Sequence, residues 1–211
     1  MTTRLAVIAF TLSATPLHAA DADLDTLLAS LARPAPDATS FVEVRYSSLL
    51  DQPIIVSGVL EHLADGSLVR HVESPYQELT VLQGENVTVT RAGSKPRRFS
   101  LDRAPELRGM LSSFGALLTG DRKMLERYFD VALQGSEAAW KITLTPRDAK
   151  LKRHLSGIVV NGAADRPRCF ALLEPDGDGS LTALGVTQLE DLPSPPERSA
   201  LEAWCSAGSE H

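Results

Sequence analysis

Residues 54–73 read IIVSGVLEHLADGSLVRHVE, two apolar-rich runs on either side of Ala64, Asp65 and Gly66. An Asp-Gly pair supplies the positive φ values of a tight hairpin turn, so this stretch predicts a β-hairpin between strands 54–63 and 67–73. Upstream, residues 41–46 alternate, with Val42, Val44 and Tyr46 on one face and Glu43 and Arg45 between them. That is the pattern of a strand with one covered face. Downstream, residues 77–82 and 87–91 repeat the device around Gln83, Gly84, Glu85 and Asn86, and 97–101 follows a turn at Gly93, Ser94, Lys95 and Pro96. The first half is therefore predicted to be a β-meander.

A change of period follows. Pro105 suits the first turn of a helix, and Leu107, Met110, Leu111, Phe114, Leu117 and Leu118 then fall on one stripe. Gly120 closes that helix, and Asp121 caps another that runs to about Phe129. Strands resume at 131–133, 139–145, 151–160, 168–173 and 181–189, which makes roughly eleven in one antiparallel sheet interrupted by a helical insertion. Before the sheet, Leu24, Leu27, Leu28 and Leu31 have helical spacing and are followed by a linker over 34–40. After it, Pro193, Pro195 and Pro196 mark a bend before a short helix over 197–204. The fold class is mainly β, with α elements added.

The start of the chain has Arg4 before a short apolar run, then Pro16 and the small residues Ala19 and Ala20. This is the order of a secretory signal peptide over about 1–20, with cleavage expected near residues 19–22. The run is shorter than the ~20 residues that span a bilayer. The first cysteine is Cys169, so no lipid-anchoring cysteine follows the signal. The expected mature chain, 21–211, suits one domain and a location in the periplasm. Net charge is −6, and −7 once Arg4 leaves with the signal, which excludes duplex nucleic acid as an expected partner. Cys169 and Cys205 are the only cysteines, and in an oxidising compartment they predict a disulfide tying the tail to a late strand; two unpaired thiols are the alternative.

Motifs for catalysis are missing: there is no GxSxG, HExxH, CxxC or phosphate-binding glycine loop. His62 and His71 flank the hairpin and would allow a two-histidine metal site with Glu61 or Glu73; the plainer reading is two polar residues on a sheet surface. Asp176, Gly177, Asp178 and Gly179 begin like a calcium loop, but Leu181 and Thr187 stand where that loop needs glycine and glutamate. Turn chemistry explains them. No metal and no cofactor is expected. The charges of 121–127 lie between helical apolar positions and read as a solvated face or as a docking face for a membrane partner. The apolar stripe of the helices either fills the sheet's covered face as an inert core, or leaves room for an acyl chain.

The order of elements carries a resemblance. Signal, amphipathic helix, the Phe41 strand, Ser57-Gly58-Val-Leu, Ser74-Pro75, Leu79-x-Val-Leu-x-Gly84, Leu118-Thr-Gly-Asp121 and Trp140-Lys-Ile-Thr-Leu-Thr-Pro146 resemble the LolA family of outer-membrane lipoprotein carriers, over about 23–162. The resemblance implies a half-open antiparallel β-barrel of about eleven strands covered by helices. It also implies a non-enzymatic, monomeric carrier of a lipid or acylated cargo, loaded by an inner-membrane exporter and unloaded to an outer-membrane acceptor. LolA proteins proper have a Lys-Arg-Pro turn whose arginine controls a lid; the corresponding stretch here is Leu63, Ala64, Asp65 and Gly66. Lipoprotein cargo is thus one option beside another lipid. Expected cavity-lining residues are Val44, Tyr46, Leu60, Leu79, Val81, Leu111, Phe114, Trp140, Ile142 and Leu144. A one-residue slip in register would invert that set. The rival readings are an accessory protein that binds another envelope protein, and a hydrolase or transferase acting on envelope lipids.

Overall fold

The computed structural model describes residues 23–101, 115–117 and 119–207. Helix α1 (Leu24–Leu31) precedes six strands, β1 (Asp37–Tyr46), β2 (Ile54–His62), β3 (Leu68–Ser74), β4 (Glu78–Gln83), β5 (Asn86–Arg91) and β6 (Arg97–Ser100). Helix α2 (Arg122–Tyr128) leads into β7 (Phe129–Ser136), β8 (Ala139–Pro146), β9 (Gly157–Ala163), β10 (Arg166–Leu173) and β11 (Gly179–Leu184), and α3 (Arg198–Ser206) follows. All eleven strands form one antiparallel sheet in the order β6-β5-β4-β3-β2-β1-β11-β10-β9-β8-β7. The edge strands β6 and β7 do not pair, so the sheet is not closed. The signal segment and most of the predicted helix over 105–118, including Leu111 and Phe114, lie outside the described residues.

Local chemistry explains the boundaries. The hairpin between β2 and β3 turns at Gly66, whose φ is +81°. Asp65 accepts a hydrogen bond from the Ser67 amide, which fixes the turn from the side chain. Asp23 and Asp121 accept from the Thr26 and Met124 amides and so cap α1 and α2. Several boundaries differ from the sequence expectation, β7 for instance running Phe129–Ser136 in place of 131–133, and three of them have a plain local cause. β1 begins at Asp37 because the expected linker pairs with the end of β2, Asp37 opposite His62. Residues 151–153 form a 3-10 turn in place of a strand, since the Asp148 carboxylate accepts from the amides of Lys150 and Leu151. β11 stops at Leu184 because Gly185 takes φ +72°.

Each face of the sheet is covered in part, and by different elements. On the inner face, α1 and α2 place Leu27, Leu28, Leu31 and Leu125 against Ile142, Leu144, Ile158 and Val160. On the outer face, α3 places Leu201 and Cys205 against Val42, Val44, Leu181 and Ala183, and Cys205 is bonded to Cys169 of β10. β1 is therefore buried on both sides at its centre, where the sequence pattern predicts one covered face only. Among the described residues no helix is long and apolar enough to cross a membrane.

Candidate functional site

The register of the strands sorts the expected cavity residues into two groups. Trp140, Ile142 and Leu144 of β8 and Leu60 of β2 point to the inner face, whereas Val44 and Tyr46 of β1 and Leu79 and Val81 of β4 point to the outer one. Alternation identifies correctly that Val42, Val44 and Tyr46 share a face; which face they share is decided by pairing partners far away in the chain.

The inner face itself has two halves. Over β7–β10 it is filled: Trp140, Ile142, Leu144, Ile158 and Val160 are buried in a continuous cluster with α1, α2, Leu151 and Leu155. The Trp140 indole N–H donates to the Ala164 carbonyl at 2.9 Å. Its ring occupies the space above Gly162, where a Cβ would lie 2.2 Å from the ring. This half is core.

Over β1–β6 the same face is mixed. Phe41, Val56 and Val72 are buried, with Leu60, Tyr76 and Leu184 packed beside them. They approach one another because Gly58 sits between Phe41 and Val72 in the pairing; a Cβ there would fall 1.9 Å from the His71 carbonyl oxygen. The glycine of the Ser57-Gly58 motif is thus required by a close approach of backbones, at a bulge in the β2–β3 register. At the margins of this half, Ile54 is 43% and Phe99 42% exposed.

Set among these apolar groups is an ion-pair network. Glu43, only 8% exposed, lies on the inner side of β1. Its carboxylate accepts from Arg45 Nε at 2.6 Å and from Arg70 Nη2. The Arg70 guanidinium also lies 4.9 Å above the centre of the Phe41 ring. Next along, Arg91 pairs with Glu78 at 3.0 Å and stacks 4.3 Å from the centre of the Tyr76 ring. Burial by itself would raise the Glu43 carboxyl's pKa. The hydrogen bond from Arg45 and the charges of Arg70 and Arg45 outweigh it and hold the group below its ordinary 4.5.

A depressed folded-state value stabilises the fold above the unfolded-state pKa, and that contribution is lost as pH falls through the folded one. Glu43→Gln is therefore expected to cost about 2 kcal/mol at neutral pH. The gap between variant and parent should narrow below about pH 4. Urea unfolding from about pH 7 to about pH 3 measures this; a gap that does not change with pH would show that the carboxylate's charge contributes nothing.

A second concavity lies on the outer face. A cleft of about 600 Å³ is lined by Tyr46, Pro53, Ile55, Leu189, Pro195 and Pro196. The Tyr46 hydroxyl donates to the Pro196 carbonyl at 2.9 Å, and burial pushes its pKa up to about 12. The adjoining loop is tied down by Asp178, which accepts from the Ser47 hydroxyl and the Ser48 amide. The Asp-Gly repeat thus has a turn-fixing role. Leu49 of that loop is 90% exposed.

The histidines do not assemble a site. His62 faces inward and His71 outward, and His71 Nε2 lies 3.3 Å from Gln77 Oε1. His62 Nδ1 and the Ser67 hydroxyl are both buried without a hydrogen-bond partner, so they do not form a nucleophile-base pair with each other. Among the described residues no group of three metal-ligating side chains occurs.

The family model described as "Outer membrane lipoprotein carrier protein LolA-like" matches residues 14–205. No curated protein matches the chain. Among solved structures, a LolA superfamily protein from Nitrosomonas europaea is 11% identical, with 79% of this chain and 92% of that chain covered and a TM-score of 0.41. LprF from Mycobacterium bovis is 14% identical, with 84% and 97% covered and a TM-score of 0.37. A chain of the Pseudomonas aeruginosa MucA/MucB complex is 15% identical, with 81% and 60% covered and a TM-score of 0.40.

Proposed function

Because this chain belongs to the outer membrane lipoprotein carrier protein LolA-like family, we propose that it is a periplasmic carrier that shields the acyl chain of a lipid or lipoprotein between the inner and outer membranes. The observation that supports this reading is the asymmetry of the inner face. Over β7–β10 it is sealed by helices, while over β1–β6 it keeps Ile54 and Phe99 open to solvent beside a buried apolar floor. Each methylene taken from water gains ~0.8 kcal/mol, so a long chain laid across that floor binds without any catalytic group. Release then requires an acceptor, and loading an exporter.

Native mass spectrometry and organic extraction, on protein purified from the periplasm of its own host, test this reading. A stoichiometric acyl-bearing species is expected. In Phe99→Glu, which puts a charge at a position the fold leaves exposed, occupancy should fall about tenfold, since a carboxylate cannot share the site with hydrocarbon. Clean apo protein that takes up no offered lipid would overturn the carrier.

A second reading, an accessory protein that binds another envelope protein, is favoured by the outer cleft and the exposed Leu49 beside it. Leu49→Asp separates the two readings: an accessory protein would lose its partner, whereas a carrier would keep its lipid.

A further inference from the structure

A binding face meant only for hydrocarbon has no use for charge, and burying an ion pair is seldom more stabilising than well-packed apolar residues of similar size. The inner face of β1–β5 nevertheless carries Arg45, Arg70 and Arg91 against Glu43 and Glu78, three guanidiniums to two carboxylates. The remaining charged residues that the register puts on this side of β1–β6, Asp37 and Arg97, are exposed at its margin and cancel. The excess is positive on a chain whose net charge is −6, so the sign of this face runs against that of the whole molecule.

Within the network the two arginines of Glu43 differ. Arg70 has its guanidinium partly covered and laid over Phe41, while the Arg45 side chain is 41% exposed. Arg45 gives Nε and Nη2 to Glu43, and its Nη1 makes no hydrogen bond among the described residues. A guanidinium has five N–H donors in a planar fork suited to carboxylate and phosphate oxygens, so both side chains retain donors after Glu43 is satisfied. Glu43 holds them in place, and the apolar floor of Phe41, Val56 and Leu60 begins beside them.

We propose that the inner face of β1–β5 selects an amphiphile with an oxyanionic headgroup, a phosphate or a carboxylate, whose head is held by Arg45 and Arg70 while its acyl chain lies over Phe41, Leu60 and Phe99. This rests on the carrier reading and names its class of cargo. Glu43 acts as the positioning residue for both arginines and sets the excess at one charge.

The test is a set of binding titrations at low ionic strength, with three probes that share one palmitoyl chain and a fourth that has none. Palmitate and palmitoyl lysophosphatidylglycerol carry an oxyanion, monopalmitoylglycerol is neutral, and inorganic phosphate is an anion with no chain. Both anionic amphiphiles are expected to bind about tenfold tighter than the neutral one, a preference that shrinks as salt is raised. Arg45→Gln should remove most of the preference by weakening the two anionic amphiphiles about tenfold more than the neutral one. Glu43→Gln, which frees both arginines from their internal counter-ion, should enlarge it, so a loss caused by misfolding alone is distinguishable. Equal affinity for anionic and neutral amphiphiles, or an Arg45→Gln effect of equal size on both, would overturn the headgroup site and leave the carrier standing. Binding of inorganic phosphate as tight as that of the amphiphiles would overturn it in favour of a free-anion site. Binding of none of the four would remove the carrier reading along with it.

Discussion

Replacing Cys169 and Cys205 together by serine is expected to lower the unfolding free energy by about 3–4 kcal/mol and the melting temperature by roughly 10 °C. The bond closes a loop of 36 residues, and the chain-entropy cost released on opening a loop of that length accounts for the figure. The effect should concentrate in the tail. α3 offers Leu201 and Cys205 as its buried residues, and its remaining contacts to the outer face are few compared with the eleven-stranded ladder. Freed from β10, it would uncover Val42, Val44 and Leu181, the outer side of the same strand that carries Glu43 and Arg45 inward. Thermal unfolding with and without reductant measures it: the parent should lose stability on reduction and the double variant should not respond. A change below about 1 kcal/mol would mean that packing alone holds the tail.

The second large effect is expected from Leu144→Ala, at about 3 kcal/mol. Leu144 is fully buried in β8, in the cluster formed with α1, α2 and β9. Truncation there leaves a void walled by rigid elements, which is the costly case for a large-to-small change. The same variant should retain its lipid, because its side chain is part of the sealed half of the inner face and not of the open one. Urea unfolding and lipid uptake measured on one preparation distinguish the two roles. A stable variant with impaired uptake would place the cargo over β7–β10 and move the site.

How much of this was legible in sequence follows from the distance over which each feature is decided. The Asp65-Gly66 hairpin, the Asp121 cap and the end of the preceding helix at Gly120 depend on neighbours a few residues away, and residue types alone identify them. The unclosed eleven-stranded sheet was readable from turn spacing and the ordered set of motifs. The two-sided burial of β1 was not, because alternation at 41–46 ranks the faces by polarity and gives Glu43 and Arg45 to solvent. What covers Glu43 lies outside any local pattern: Arg70, 27 positions along the chain, reaches it from β3. The position of Leu79 and Val81 on the outer face has the same origin, since it passes through the β2–β3 bulge at Gly58. The turn at 151–153 is not legible in its own three residues, because the side chain that decides it is Asp148, which accepts from the Lys150 and Leu151 amides.

Where the lipid lies is tested most directly by photo-crosslinking with a palmitate analogue that carries a diazirine near the end of its chain, followed by peptide mapping. The predicted result is adducts on Leu60 and Phe99 of the inner face, competed away by unlabelled palmitate and reduced in Phe99→Glu. Adducts confined to the outer cleft at Tyr46, Pro53 and Leu189, or none above background, would contradict it.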